Sequence, residues 1–161
     1  MIDFNLQFKP TVETVSTTRR FVTSLFERAL HDPDGAARVG IAVHELLENV
    51  LKYSASGAAS LRVCVTPEDL GCVTTIETAN PVTPERRAGL EEFFAEVARA
   101  PDAFAFYHAA MQRSRTLRFG SGLGLARIWA EAEMTIALHL GGDGATVRAT
   151  GLMLARGKEA A

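Results

Sequence analysis

The sequence lacks a strong charge of either sign. In 161 residues, 17 lysines and arginines nearly balance 19 aspartates and glutamates, and the formal net charge is -2. Because nucleic acid binds strongly basic surfaces, this balance argues against a nucleic-acid partner. Hydrophobic residues make up 47% of the chain, which is enough for one substantial core in an ordinary globular protein.

Cysteine is scarce, and long apolar runs are missing. Cys64 and Cys72 lie in short apolar stretches without the spacing of metal ligands, so we expect two buried free thiols and a cytoplasmic protein. No run approaches the length of a membrane span, which argues against a membrane segment. The opening residues, MIDFNLQFKP, lack the basic and apolar regions of a signal peptide.

Internal repeats and low-complexity linkers are also missing, so we expect one domain over residues 1–156 and a frayed tail at 157–161. The order of apolar patterns predicts an α+β sandwich with helices on one face of a mostly antiparallel sheet. Strands are predicted at 2–8, 61–65, 72–76, 134–140 and 145–154, and helices at 11–30, 36–53, 84–100, 102–113 and 123–132.

Four segments carry turn signals between these elements. Asp-Pro-Asp-Gly at 32–35 predicts a turn between the first two helices, and Ala-Asn-Pro at 79–81 predicts the end of a strand. The segments 67–71 and 141–144 predict the turns of two hairpins. Each hairpin would bring two antiparallel strands together.

A glycine-rich segment, FGSGLGLARI at 119–128, precedes an amphipathic helical run. Gly120, Gly122 and Gly124 fall on alternate positions, where the backbone can adopt unusual angles and approach a ligand closely. The N–H groups at the start of the following helix would suit a phosphate or another anion. A tight turn into a helix explains the same residues, and both readings stay open at this point.

The second predicted helix contains HELLENVLKY at 44–53. Glu45 and Asn49 are four residues apart and share one face, where a carboxylate can act as a general base and a carboxamide oxygen as a Mg²⁺ ligand. Glu48 and Lys52 have the same spacing and predict a solvated ion pair. The zinc-protease motif requires a second histidine at the position of Glu48, so the sequence argues against that site.

Two segments together resemble the N-box and second glycine box of the GHKL ATPase superfamily. They are Glu-x-x-x-Asn-x-x-Lys-Tyr at 45–53 and Gly-Ser-Gly-Leu-Gly-Leu at 120–125. Gly-Ala-Thr at 144–146 is similar to the family's Gly-Thr near the end of the domain. The superfamily includes gyrase, MutL, histidine kinases and the anti-sigma-factor serine kinases. The resemblance covers nearly the whole chain and implies a Bergerat-type two-layer fold that binds ATP and Mg²⁺.

The resemblance also implies roles for individual residues. Asn49 would hold Mg²⁺, Glu45 would be the base that deprotonates a serine hydroxyl or a water, and Lys52 would reach a phosphate. The glycine loop would cradle the phosphates, and Thr146 would lie near the adenine. The nucleotide-binding set implied in this way is Asn49, Lys52, Thr78, Asn80, Gly120, Gly122, Leu123, Gly124, Leu125 and Thr146.

The first glycine box departs from the family pattern. Family members carry an aspartate there, which accepts the adenine amino group, followed by two spaced glycines. This chain has IETANPV at 76–82, and Thr78 or Asn80 is left as the hydrogen-bond acceptor. Strand alternation predicts that Glu77 and Thr78 point to opposite faces. Losing a charged acceptor would weaken affinity by about one to two decades.

Only one strand and one helix are predicted before the N-box helix, as in the stand-alone kinases of bacterial partner-switching systems. The resemblance therefore implies a serine/threonine kinase of the anti-sigma-factor or SiaB-like branch, acting on a STAS-domain partner. A sigma factor or a PP2C phosphatase of the same system are further expected partners, and a homodimer stays open. The alternative is a GHKL-fold protein with impaired nucleotide binding that sequesters its partner without catalysis. Arg19 and Arg20 are either solvated charge or a partner contact.

Overall fold

The helices and strands follow one another in the predicted order. The computed structural model describes residues 2–30, 32–55, 57–69, 71–115 and 122–154. Within these ranges the elements are β1 Ile2–Phe8, α1 Val12–Leu30, α2 Pro33–Tyr53, β2 Ala59–Glu68, β3 Gly71–Pro81, α3 Pro84–Arg99, α4 Ala103–Ser114, α5 Leu123–Ala130, β4 Thr135–Gly141 and β5 Gly144–Leu154.

The five described strands form one sheet in the order β1-β2-β3-β5-β4, and every neighbouring pair is antiparallel. Alternate residues of each strand turn toward the helices, as the period of two requires. In β3, for example, Thr74, Ile76 and Thr78 are buried, and the residues between them are half-exposed. The predicted α+β fold, with helices on one face of an antiparallel sheet, is confirmed.

Helix α2 lies at the centre of the helical layer. Its apolar stripe includes Val43, Leu46, Leu47 and Val50, none of them more than 1% exposed. This stripe packs against β3 and β5, while other faces of α2 contact α1 and α5. The polar residues of α2 that are not needed for this packing are therefore held at fixed positions beside α5. None of the described helices is long and apolar enough to cross a membrane.

The predicted turn at 32–35 is instead the beginning of α2. Asp32 is the N-cap, and its side chain accepts a hydrogen bond from the backbone N–H of Asp34. Pro33 occupies the first helical turn, where its missing N–H removes no intrahelical bond. The same four residue types that favour a turn also favour a helix start, and the packed stripe beyond them decides the outcome.

Two strands are longer than predicted. The expected strand end at 79–81 is wrong, because Ala79, Asn80 and Pro81 pair with Thr146, Ala145 and Gly144 of β5. Strand β2 likewise continues through Pro67 to Glu68, beyond the last residue that pairs with β1. The neighbouring strand stabilises these extended segments although their residues are weak strand formers alone.

A second, smaller apolar cluster joins α3, α4 and α5. Phe106 and Ala126 are buried there, and Phe93 and Trp129 pack against them. The rings of Phe93 and Phe106 meet edge to face, with 5.4 Å between centroids. This cluster sets the position of α3 and α4 relative to the start of α5.

Replacement of Gly89 by alanine is expected to stabilise the protein by about 0.5–1 kcal/mol, because Gly89 lies inside α3 and glycine is a poor helix former. A Cβ atom there would meet nothing within 4 Å. The midpoint of urea unfolding measures the gain. Gly40→Ala is the control, because its Cβ would press on Oγ1 of Thr23 at 3.2 Å and no gain is expected. Equal effects at the two positions would contradict this account.

Candidate functional site

A cavity of about 370 Å³ lies between α2, α3 and the start of α5. It brings the polar face of the N-box helix together with the described part of the glycine segment. Gly120 lies outside the described residues. The lining residues are Glu45, Glu48, Asn49, Lys52, Tyr53, Arg86, Gly89, Leu90, Phe93, Tyr107, Gly122, Leu123, Gly124, Leu125, Arg127 and Glu131.

Glu45 and Gly124 are in direct contact across this cavity. A Cβ atom built on Gly124 would lie 2.5 Å from Oε2 of Glu45, so no side chain larger than hydrogen fits between them. The side chain of Glu45 is only 15% exposed. The glycine at position 124 therefore allows the start of α5 to approach the carboxylate of α2.

Gly122 is required for two independent reasons. Its φ of +66° lies in the left-handed region that residues with a Cβ atom rarely adopt. A Cβ atom there would also collide with the ring of Phe93. Gly122 is the N-cap of α5 and has no side chain. It therefore provides no side-chain acceptor for the N–H groups of the first helical turn, which lines the cavity.

Arg127 holds the carboxylate of Glu45. Its Nη1 donates to Oε1 of Glu45 at 3.1 Å, and its Nε donates to Glu131 at 2.7 Å. The hydroxyl of Tyr107, on α4, donates to the same Glu131 at 2.7 Å. The chain of contacts Tyr107–Glu131–Arg127–Glu45 thus connects α4 to α2 through α5.

Arg127 and Glu131 stabilise each other's charged states. The hydrogen bond to Glu131 raises the pKa of Arg127, with a smaller contribution from Glu45. Burial opposes ionisation of Glu131, but the hydrogen bonds from Arg127 and Tyr107 outweigh it and lower the pKa of that carboxyl. Burial and the neighbouring Glu131 raise the pKa of the Tyr107 hydroxyl. At neutral pH Tyr107 is therefore a neutral phenol, Glu131 a carboxylate and Arg127 a guanidinium.

Asn49 carries an unsatisfied polar group. Its Nδ2 atom is buried and has no hydrogen-bond partner among the described residues. Such a group costs about 1–3 kcal/mol unless a ligand or water satisfies it. Asn49 stands one helical turn from Glu45 and lines the same cavity, as the spacing predicts. The carboxamide is therefore poised to bind a polar ligand there.

Lys52 and Glu48 form the predicted ion pair. Nζ of Lys52 lies 3.1 Å from Oε2 of Glu48, and the lysine side chain is 55% exposed. A pair this exposed contributes little to stability, so Lys52 can change partner at small cost. Both side chains line the cavity beside Asn49.

The residues expected at the adenine do not share this cavity. Thr78 is 3% exposed and lies in the core, paired with Leu61 and Val147. Asn80 and Thr146 line a separate cavity of about 640 Å³ at the end of the sheet. The side-chain Nδ2 of Asn80 donates to the carbonyl of Pro81 at 2.9 Å. The structure thus brings together the phosphate-side residues of the predicted set and leaves the adenine-side residues apart from them.

Glu77 does not replace the missing aspartate. Its carboxylate pairs with Arg148 of β5, and Thr78 next to it turns toward the helices. The prediction that these two side chains point to opposite faces is confirmed. The acid nearest to the first glycine box therefore belongs to the outer face of the sheet, away from the cavity.

Arg19 and Arg20 line a groove between α1 and α2. This groove, of about 490 Å³, also contains His44 and Arg127. Arg19 and Arg20 are exposed, and no described carboxylate forms an ion pair with either. Arg127 lines both the groove and the cavity that contains Glu45. The groove therefore reaches the cavity at the Arg127 side chain.

Comparison with known proteins supports the fold. No protein-family model matches the sequence, and no curated protein sequence matches it. A chain of the crystal structure of the SiaB–SiaC complex from Pseudomonas aeruginosa is similar, with a TM-score of 0.70 at 18% identity, over 91% of this chain and 89% of that one. The catalytic domain of histidine kinase ThkA gives a TM-score of 0.40 at 13% identity, over 94% and 96% of the two chains. The likeness to a chain of the SiaB–SiaC complex confirms the predicted α+β fold.

Proposed function

We propose that this protein is an ATP-dependent serine/threonine protein kinase of a partner-switching system, which modifies a STAS-domain partner. The observation that carries the proposal is the meeting of Glu45 and the unsatisfied Asn49 carboxamide with Gly122 and Gly124 in one cavity. A base, a cation ligand and an anion cradle are the groups that phosphoryl transfer requires. The fold shared with a chain of the SiaB–SiaC complex supports a SiaC-like partner.

The residues present fit ATP and Mg²⁺ at the phosphate end. Asn49 would bind Mg²⁺ through its carboxamide oxygen, and its unpartnered Nδ2 would donate to a phosphate oxygen. The start of α5 lines the cavity through Gly122, Leu123 and Gly124, and a helix N-terminus suits a phosphate. No group of three or more possible metal-ligating side chains occurs within the described ranges, which fits a cation held jointly with phosphates. Bound Mg²⁺ would supply charge neutralisation of the phosphate oxygens.

Glu45 is the proposed general base. Its carboxylate would accept the proton of the partner's hydroxyl, while Arg127 holds the carboxylate in one orientation at 3.1 Å. The groove beside α1 supplies the approach for the partner, because Arg19 and Arg20 can pair with carboxylates on a protein surface. A PP2C phosphatase that reverses the modification, and a sigma factor, are further partners expected in the same system.

One observation favours a second candidate, a GHKL-fold protein that binds its partner without turnover. Glu77 does not replace the missing adenine acceptor, because it is paired with Arg148, and Thr78 beside it is buried in the core. In this candidate the cavity would not hold ATP at cellular concentrations. Calorimetric titration with Mg-ATP separates the two, since micromolar affinity supports the kinase and no measurable heat supports the second candidate.

Replacement of Asn49 by alanine is expected to weaken Mg-ATP binding by about 10- to 100-fold, because a cation ligand and a hydrogen-bond donor are both lost. Titration calorimetry measures the change. Arg99→Met, at an exposed position on α3 away from the cavity, is the control and should bind like the parent. If Asn49→Ala binds Mg-ATP as tightly as the parent, Asn49 is not the cation ligand.

A further inference from the structure

Arg86 is a cation of the cavity to which neither the motifs nor the comparisons give a role. It stands in the first turn of α3, after the N-cap Thr83, and its guanidinium lines the cavity. The guanidinium carbon lies 3.6 Å from the centroid of the Tyr53 ring. This is a close cation–π contact, which fixes the guanidinium against the end of α2.

Arg86 differs from the other cations of the cavity in having no acidic partner. Lys52 is paired with Glu48, and Arg127 is shared between Glu45 and Glu131. No described carboxylate forms an ion pair with Arg86. Each described acid that lines the cavity has its ion pair with Lys52 or Arg127. Among the described cations that line the cavity, Arg86 is therefore the one that no carboxylate engages.

The guanidinium is also partly withdrawn from water. Arg86 is half-buried, and burial lowers its pKa below the usual value for arginine. A desolvated cation without an anion is unfavourable, and Tyr53 compensates it only in part. An anionic ligand in the cavity would offset this penalty with a charge-assisted hydrogen bond.

We propose that Arg86 binds a phosphate group of the nucleotide, and that Tyr53 orients the guanidinium for that contact. This inference rests on the proposed nucleotide binding and adds a phosphate-binding residue from α3. Tyr53 lies eight residues beyond Glu45 on α2, or about 12 Å along the helix axis. Arg86 therefore contacts the phosphates distant from the transferred one.

This position gives Arg86 a specific consequence for affinity. A contact to the phosphates distant from the transfer site is made in both ATP and ADP. It increases the contribution of the phosphates to the binding free energy, in a protein that lacks the family's adenine-binding aspartate. The affinity of this site should therefore depend more on phosphates than on the base.

The test compares ATP with inorganic triphosphate, which has the phosphates but no base. Calorimetric titrations, both with Mg²⁺, use the parent, Arg86→Met, Arg86→Lys and the control Arg99→Met. Arg86→Met should weaken both ligands by a similar factor of about 10 to 100, and Arg86→Lys by less. Arg99→Met removes the same charge from an exposed position of the same helix and should change neither.

Tyr53 provides an independent arm of the test. Tyr53→Phe retains the ring and should leave both affinities near the parent's, whereas Tyr53→Leu should lower both by about 2- to 10-fold. Thermal melting of each variant by circular dichroism shows that it is folded at the temperature of titration. Loss of binding in a folded Arg86→Met protein therefore reports the contact itself.

Four results would overturn the proposal. Unchanged binding in Arg86→Met would show that the guanidinium only packs α3 against α2. If Arg86→Met weakens the binding of ATP but not of triphosphate, Arg86 contacts the base and not a phosphate. If the parent binds ATP but not triphosphate, its affinity depends on the base. A parent that binds neither ligand would defeat the proposed function itself, and that result is distinct from the others because in each of them the parent still binds ATP.

Discussion

Replacement of Glu45 by glutamine is expected to lower the rate of phosphoryl transfer by about 10²- to 10⁴-fold, with little change in the affinity for Mg-ATP. The carboxamide has the shape of the carboxylate, can still accept from Arg127, and fits beside Gly124, but it cannot act as a base. The measurement is a single-turnover transfer of labelled phosphate at saturating ATP, with each STAS-domain protein of the source genome as acceptor.

Two controls decide how this result is interpreted. Glu92→Gln, at an exposed position of α3, should transfer phosphate at the parent rate. Glu48→Gln tests the other carboxylate of α2 in the cavity, which is paired with Lys52 and is expected to affect the rate less. If Glu45→Gln is fully active and Glu48→Gln is not, the base is Glu48. If the parent labels no acceptor while it binds ATP, the kinase proposal fails.

Replacement of Gly122 by alanine is expected to destabilise the protein by about 2–5 kcal/mol. A left-handed residue with a Cβ atom costs about 1–2 kcal/mol, and the collision with Phe93 adds about 1–3 kcal/mol of overpacking. For a chain of this length the melting temperature should fall by roughly 5–15 °C. Differential scanning calorimetry measures it.

Gly142 offers a matched control for this prediction. Its φ is +53°, close to that of Gly122, but a Cβ atom there would meet nothing within 4 Å. Gly142→Ala should therefore show only the backbone cost of about 1–2 kcal/mol. In a double-mutant cycle, Phe93→Ala should relieve part of the penalty of Gly122→Ala. Equal destabilisation at the two glycines would mean that the Phe93 contact contributes nothing.

The local parts of the site were predictable because they depend on spacing within one element. Glu45 and Asn49 share a helical face since four residues make about one turn, and the structure places both in one cavity. The glycines at 122 and 124 were recognisable as places of close backbone approach, and each now has a named neighbour, Phe93 or Glu45. The spacing alone did not identify these neighbours, because they come from other helices.

Other parts of the site could not be predicted from local patterns. No local pattern distinguishes Arg127 from other polar residues of a short helix. Its contact with Glu45, 82 residues away in sequence, forms because α5 packs beside α2. Arg86 carries no motif, and its contact with Tyr53 depends on how the Phe93–Phe106 cluster sets α3. Thr146 belongs to the Gly-Ala-Thr segment that is similar to the family's Gly-Thr, but it lines the separate cavity at the end of the sheet.

The sequence by itself determined the α+β architecture, the shared face of Glu45 and Asn49, and the need for glycine near the start of α5. These follow from short-range periodicity and backbone sterics, which act within a few residues. Only the tertiary structure decided which cation pairs with Glu45, which described cation of the cavity has no carboxylate partner, and which predicted residues lie apart. Those outcomes depend on the packing of α3, α4 and α5 against α2, and packing joins residues that no local pattern relates.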